Sequence, residues 1–337
     1  MASLKLYVSP NEKFAFVGDV HFGASASSRI DNYMETLCRK IEAVGKICID
    51  KGVHYIFFAG DIFDKISCSH ECVNLAGHVF LDLQRKGLQL YSICGNHDLY
   101  RDNLKRMCST PLMTLYFSGI LEHISLIRPV EIYKSFGNQD EVSSVKITPC
   151  DYTQIPPPAD DKFDKNILLA HMFYAKSGVM GDDVQNISKQ RMETLGYDMA
   201  FLGHDHEPYD AVQCGKTTVI RTGSVMRGTS HDYNFTREPS FIIVDDIFNP
   251  TVFRKITIPH RPYKDVVSQA VLNRKAMGAN FDTADREALK DLADKLAKVK
   301  EKKDKATDDV VLKAIETDTQ IPDNCRKILL DYLQKVS

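Results

Sequence analysis

Five times along this chain of 337 residues, an apolar run ends in a side chain that can bind a metal ion. Phe14-Ala15-Phe16-Val17 leads into Gly18-Asp19-Val20-His21, and Tyr55-Ile56-Phe57-Phe58-Ala59 leads into Gly60-Asp61-Ile62-Phe63-Asp64. Leu90-Tyr91-Ser92-Ile93 leads into Gly95-Asn96-His97-Asp98, Ile167-Leu168-Leu169 into His171, and Ala200-Phe201-Leu202 into Gly203-His204-Asp205-His206. One Asp behind one strand is ordinarily a turn cap; five coincident cases are a pattern. Asp, Asn and neutral His together offer mixed oxygen and nitrogen ligation, suited to manganese, iron or zinc. The thiolates of a structural zinc site are missing from the set. The donors also outnumber what one four-coordinate ion needs, whereas two ions about 3.5–4 Å apart, sharing a carboxylate, would use them all.

Such residues must be carried by elements that end at one place. Lys13–Gly18, Tyr55–Ala59 and Leu88–Cys94 read as buried strands. Between them, residues 30–50 (Ile30, Met34, Leu37, Ile41, Val44, Ile47) and 71–86 (Val73, Ala76, Val79, Phe80, Leu83) have helical spacing. Alternation of this kind predicts a layered α/β sheet, whose ligand crevice lies outside the carboxyl ends of its strands. Glycine precedes the donor in four of the five cases and lets backbones crowd there. Past residue 120 short strands follow one another at 123–127, 130–133, 143–147, 166–171, 199–203, 211–214, 217–222, 240–246 and 251–258, which predicts two sheets with helices outside. The strands stop after Pro262. Leu289, Leu292, Leu296 and Val299 form one amphipathic stripe and Ile328, Leu329, Tyr332, Leu333 and Val336 another, so a helical module is expected over 263–337 behind a body of 1–262.

Composition sets further bounds. With 43% hydrophobic and 26% charged residues the chain has a globular composition, and it contains no run long enough for a membrane span. The stretch MASLKLYVSP lacks the features of a secretory leader. A net charge of −2 supplies no global field for nucleic acid, so polyanion binding must rest on local patches or metal. The nine cysteines include no C-x-x-C pair, which predicts free thiols in a cytoplasmic or other reducing compartment.

In their order, D-x-H, GD-x-x-D, GNHD, a lone His behind a strand and GH-x-H resemble the signature of calcineurin-like metallophosphoesterases, over residues 13–260. Within that superfamily the chain looks most like the SbcD-type nucleases of DNA double-strand-break processing. That branch is favoured by Gly203-His204-Asp205-His206, by Thr222-Gly223-Ser224 and by Ile258-Pro259-His260-Arg261-Pro262 before a helical tail. The resemblance implies that Asp19, His21 and His206 hold one ion, that Asn96, His171 and His204 hold the second, and that Asp61 bridges them. It implies two divalent cations, foremost Mn2+, acting on a phosphodiester, and it places His97 at the scissile phosphate as the group that stabilises the transition state or protonates the leaving oxygen. Where some relatives carry a His that guides DNA, this chain has Asp64, read as a cap or ion-pair partner. Asp98 and Asp205 are read as orienting neighbouring ligands or capping turns, while His54, His70, His78, His123, His231 and His260 are given no catalytic part.

The function so implied is a DNA exonuclease and endonuclease in repair, recombination or replication. It is the subunit of a complex with an SbcC-type coiled-coil ABC ATPase, docked through the C-terminal helices, and a homodimer through residues 70–86 and 101–118. The family's capping domain is reduced or missing, since only 75 residues follow Pro262. Arg101, Lys105 and Arg106 are read either as phosphate contacts or as the solvated face of a short helix; Arg227 and His231 either reach a phosphate or make a surface salt bridge. The same metal chemistry would serve a phosphatase or small-molecule phosphodiesterase, and a metal-stabilised scaffold is a third reading.

Overall fold

A computed structural model describes residues 3–24, 28–135, 143–175, 183, 185–229, 231–269 and 271–273. In chain order its elements begin β1 (Leu4–Val8), β2 (Lys13–Val17), α1 (Tyr33–Asp50), β3 (Val53–Phe58), α2 (His70–Arg85), β4 (Gln89–Ser92), α3 (Pro111–Phe117), β5 (Glu122–His123), β6 (Val130–Lys134) and β7 (Ser144–Cys150). They continue with β8 (Lys165–His171), β9 (Phe173–Ala175), β10 (Asn186–Ser188), α4 (Lys189–Leu195), β11 (Met199–Gly203), β12 (Tyr209–Cys214), β13 (Thr217–Arg221), α5 (Tyr233–Thr236), β14 (Ser240–Val244) and β15 (Phe253–Thr257).

Two sheets carry the fold. The six-stranded sheet runs β15-β14-β2-β3-β4-β5, and the seven-stranded sheet β1-β6-β7-β8-β11-β13-β12. β2, β3 and β4 are mutually parallel neighbours, as are β8 and β11. Alternation along each strand explains why these runs are apolar throughout: both faces are covered. Phe14 and Phe16 of β2 and Phe57 of β3 turn to the space between the sheets and meet Ile167, Leu169 and Phe201. Ala15, Val17, Ile56 and Phe58 face the other way, onto Leu37, Ile41, Val44, Val79, Phe80 and Leu83 of α1 and α2. Leu168, Ala170, Ala200 and Leu202 line the outer face of the larger sheet with Met192 and Leu195 of α4.

Helix boundaries follow local chemistry. The side chain of Asn32 accepts from the Glu35 amide and starts α1 at Tyr33, so Ile30, placed in the helical stripe from spacing alone, lies before the cap and is exposed. Ser69 caps α2 in the same way through the Cys72 amide. The strand expected over 123–127 is only Glu122–His123, because β4 offers it two partners, Tyr91 and Ser92, before the chain turns away. β1, β9, β10, α4 and α5 have no counterpart in the reading above, and of the segment 101–118 taken there as a dimer face only Pro111–Phe117 is α-helix. β1 was legible in the alternation of inward Leu4, Leu6 and Val8 with outward Lys5 and Tyr7.

The chain divides into a unit spanning Met1–Ser268 and a second spanning Gln269–Ser337. Of the second only residues 269 and 271–273 are described, so the C-terminal amphipathic stripes and the docking helices expected there lie outside the described residues. The eight described cysteines are free thiols. No described helix is long and apolar enough to cross a membrane.

Candidate metal centre

The carboxyl ends of β2, β3, β4, β8 and β11 meet, and the seven side chains singled out from sequence meet with them. His21 Nε2 faces His206 Nε2 at 2.8 Å, and His206 Nε2 is 3.5 Å from Asp19 Oδ2. On the other side Asn96 Oδ1 lies 3.0 Å from His171 Nε2 and 2.9 Å from His204 Nδ1. Asp61 sits between: its Oδ2 is 3.8 Å from His21 Nε2 and 3.4 Å from His171 Nε2. Asp19, His21, Asp61 and His206 place one donor atom each within 4.8 Å of one another. Asp19, Asp61 and His171 are each about 1% exposed, while His204 and His206 stand at the rim.

The surroundings fix the direction of the donors. His171 Nδ1 lies 2.7 Å from the Ala59 carbonyl; donating there leaves Nε2 as the free lone pair. His97 Nδ1 does the same to the Asp64 carbonyl at 2.6 Å, and the His97 amide holds Asp61 Oδ1 at 2.9 Å. The buried Asp98 carboxylate accepts from the amides of Ile62, Phe63 and Gly95, clamping the two loops that bear Asp61 and Asn96. Asp205 instead pairs with Arg221 at 2.5 Å and accepts from the Glu207 amide, the capping role. Asp64 contributes a carboxylate 3.4 Å from His21 Nδ1, a nitrogen that is buried without an aligned hydrogen-bond partner.

Strain is concentrated here. His21, Asp61 and His204 have φ of 62°, 48° and 84°, in the left-handed region that non-glycine residues rarely adopt and that costs on the order of 1–3 kcal/mol each. Crowding explains the glycines. A Cβ on Gly95 would stand 2.1 Å from Asp61 Oδ1 and 2.5 Å from the Asp61 amide nitrogen, and one on Gly203 would stand 2.4 Å from the Ala59 carbonyl and 2.7 Å from Asp19 Oδ1. Gly95→Ala is therefore expected to cost about 1–3 kcal/mol of stability and to lower bound divalent metal, read by chemical denaturation and elemental analysis. Wild-type values for both would show that the loops do not need this contact.

Charge balance suits cations. Burial raises Asp19, and the charge of Asp61 adds to it. Burial works against His171 in its charged form, but Asp61 and Asp19 outweigh it and hold the imidazole up at about 9. Burial, with His171 beside His204 and His21 beside His206, drives both rim imidazoles down to about 3, so they are neutral donors at physiological pH. A cation requires neutral His171, so its binding must expel a proton at any pH below about 9, and affinity should rise as pH climbs toward that value. Calorimetric titration with Mn2+ at about pH 7.5 in buffers of different ionisation enthalpy should show at least about one proton released per chain. No release would contradict this charge assignment.

Residues that spacing did not single out also contribute. Tyr152 and Phe173 pack their rings on His204 at centroid distances of 5.3 and 4.1 Å, and Tyr152 also meets His171. The signal for Phe173 was its place two residues beyond His171; for Tyr152 there was none. Arg227 is buried and bonded to the carbonyls of Arg237 and Arg261, so the surface salt bridge considered for it does not form. Arg237 bonds the carbonyls of Ser224 and Met226, and Lys40 reaches the carbonyl of Val225, bracing the loop whose Val225 amide holds the Asp19 carbonyl. Arg101, Lys105 and Arg106 are exposed on short 3-10 turns, with Arg101 and Arg106 on the Tyr100 ring.

Two sheets whose adjoining strand ends deliver oxygen and nitrogen donors around one central carboxylate form a centre suited to divalent cations. Residues 12–208 match the family described as calcineurin-like phosphoesterase, and the chain belongs to it, a family whose members depend on two metal ions. A DNA double-strand break repair protein Mre11 from Methanopyrus kandleri is 25% identical over 215 residues, 58% of this chain and 45% of that protein. The chain thus matches a little under half the length of that relative. Among solved structures, a dimetal phosphatase from Danio rerio is similar at 11% identity and a TM-score of 0.43, covering 74% of this chain and all of that one. GAP50, the anchor in the inner membrane complex of Plasmodium, is similar at 12% identity and the same score, covering 75% and 90%.

Proposed function

We propose that this protein is a manganese-dependent DNA nuclease with exonuclease and endonuclease activity, the hydrolytic subunit of an SbcCD-like complex that processes DNA ends. The observation that carries the choice of DNA is the likeness to a double-strand break repair protein over 215 residues. In this reading Asp19, His21 and His206 hold one ion, Asn96, His171 and His204 hold the other, and Asp61 is shared. The structure's donor set fits them: lone pairs of neutral His204 and His206 and of His171 Nε2 converge with carboxylate and amide oxygens, Asn96 Oδ1 among them. When bound, the ions supply Lewis-acid stabilisation of the charge that builds on a phosphoester during hydrolysis.

The chain's own residues do the rest. His97, oriented through its Nδ1, presents Nε2 to the departing oxygen or to the phosphate. Tyr152 and Phe173 shield the second triad from water, and Phe173, partly exposed at the rim, offers a face to an unstacked base. Tyr100 with Arg101 and Arg106, three to nine residues beyond His97, offers an aromatic and two cations to the backbone of a strand. Such contacts carry no sequence information, so cleavage should be sequence-nonspecific. A coiled-coil ABC ATPase and a second copy of the chain are the proposed partners.

The test compares Mn2+-dependent degradation of linear DNA with turnover of a chromogenic phosphate monoester, with and without the ATPase and ATP. DNA cleavage dominating supports the nuclease. Efficient monoester turnover with inert DNA would make the protein a phosphatase of the same family.

A further inference from the structure

Among the described residues a second convergence of donors stands beside the first, made of other side chains. Cys94 Sγ lies 3.8 Å from His123 Nε2, that nitrogen is 3.3 Å from Asp151 Oδ1, and the three atoms fall within 4.8 Å of one another. They come from three separate segments. Cys94 follows β4 and stands two residues ahead of Asn96, His123 ends the edge strand β5 of the same sheet, and Asp151 follows β7 of the other sheet. Cys94 and Asp151 are buried; the His123 side chain is 24% exposed and leaves a way in.

Thiolate, imidazole and carboxylate form a donor set that zinc-class ions take and that the oxygen- and nitrogen-only centre nearby does not offer. The spacing fits as well. With bonds of about 2.3 Å to sulfur and 2.0–2.1 Å to nitrogen or oxygen, a tetrahedral ion sets sulfur and nitrogen about 3.5 Å apart and nitrogen and oxygen about 3.3 Å apart. The observed 3.8 and 3.3 Å lie within a few tenths of an ångström of these two edges, and the sulfur–oxygen edge is within 4.8 Å. The surroundings orient the donors: the Tyr116 ring stacks on His123 at 4.8 Å, and the Asp151 amide is held by Gln154. Met107 Sδ is only 2.9 Å from Cys94 Sγ, closer than the edge of about 3.8 Å between two sulfurs on one such ion. Its flexible thioether must swing aside, and it or water completes the coordination.

We infer that Cys94, His123 and Asp151 form a site for one zinc-class divalent ion, distinct from the phosphoesterase centre, which pins the segment leading to Asn96 across both sheets. On binding, the thiol proton leaves to solvent and a sulfur–metal bond replaces the S–H bond. The inference stands independently of which phosphoester is cleaved. The competing account is a hydrogen-bonded His123–Asp151 ion pair with a bystander thiol.

Cobalt titration of the metal-free protein separates the two, because a centre of oxygen and nitrogen donors cannot give thiolate-to-cobalt charge-transfer absorption. We expect a near-ultraviolet sulfur band whose full amplitude corresponds to about one thiolate-bound Co2+ per chain, in addition to the Co2+ taken up by the oxygen and nitrogen centre, absent from Cys94→Ser and retained in Cys72→Ser. His123→Ala should raise the Co2+ needed for half-saturation by at least about tenfold. X-ray absorption of the zinc-loaded wild type should show a sulfur neighbour at about 2.3 Å, a readout that survives if Cys94→Ser fails to fold. A wild type without the band, a band that outlasts Cys94→Ser, or zinc with only light-atom neighbours overturns the site.

Discussion

His97→Ala is expected to bind divalent metal like the wild type while hydrolysing its phosphoester substrate about 10²–10⁴-fold more slowly. The two halves of this result have separate physical origins. What His97 gives the donor cluster is its backbone amide, 2.9 Å from Asp61 Oδ1, and alanine keeps that amide. What alanine removes is an imidazole whose Nδ1 is committed to the Asp64 carbonyl and whose Nε2 is left for the substrate. The loss should fall on kcat, with metal content unchanged by elemental analysis. Normal cleavage would remove His97 from the chemistry, and lost metal would recast it as a structural support.

Asp61→Asn should be more damaging still. The Asp61 carboxylate lies between the two triads, buried, with His21 and His171 at 3.8 and 3.4 Å from the same oxygen. Burial opposes its charge, but His171, His21 and His97 hold it ionised well below the usual carboxylate range. An amide keeps the shape, supplies one carbonyl oxygen and withdraws the negative charge that two cations would share. Losing several kcal/mol of charge stabilisation corresponds to at least about a 10³-fold fall in cleavage, accompanied by sub-stoichiometric metal. A variant that retains full metal and activity would show that Asp61 does not join the two triads.

Local sequence determined which candidate donors stand at strand ends and in what order they arrive. β2, β3, β4, β8 and β11 are buried on both faces, so they read as unbroken apolar runs, and a polar residue at the end of such a run is conspicuous. Edge elements were less legible, because β1, β5, β9 and β10 are short and bury only part of their surface. Lys40 shows the same limit within a helix. It shares the buried face of Leu37, Ile41 and Val44, yet its purpose depends on a carbonyl 185 residues away.

Tertiary structure alone decided the pairing of those residues. His21 meets His206 across 185 positions, and Asn96 meets His171 across 75 and His204 across 108, because β2 and β4 of one sheet end beside β8 and β11 of the other, an apposition that no local pattern encodes. It also decided the left-handed backbone at His21, Asp61 and His204, which propensity disfavours and which only the packed surroundings can impose. Donor types are written into side chains one at a time. A site is a set of distances, and those are set by how the two sheets close on one another.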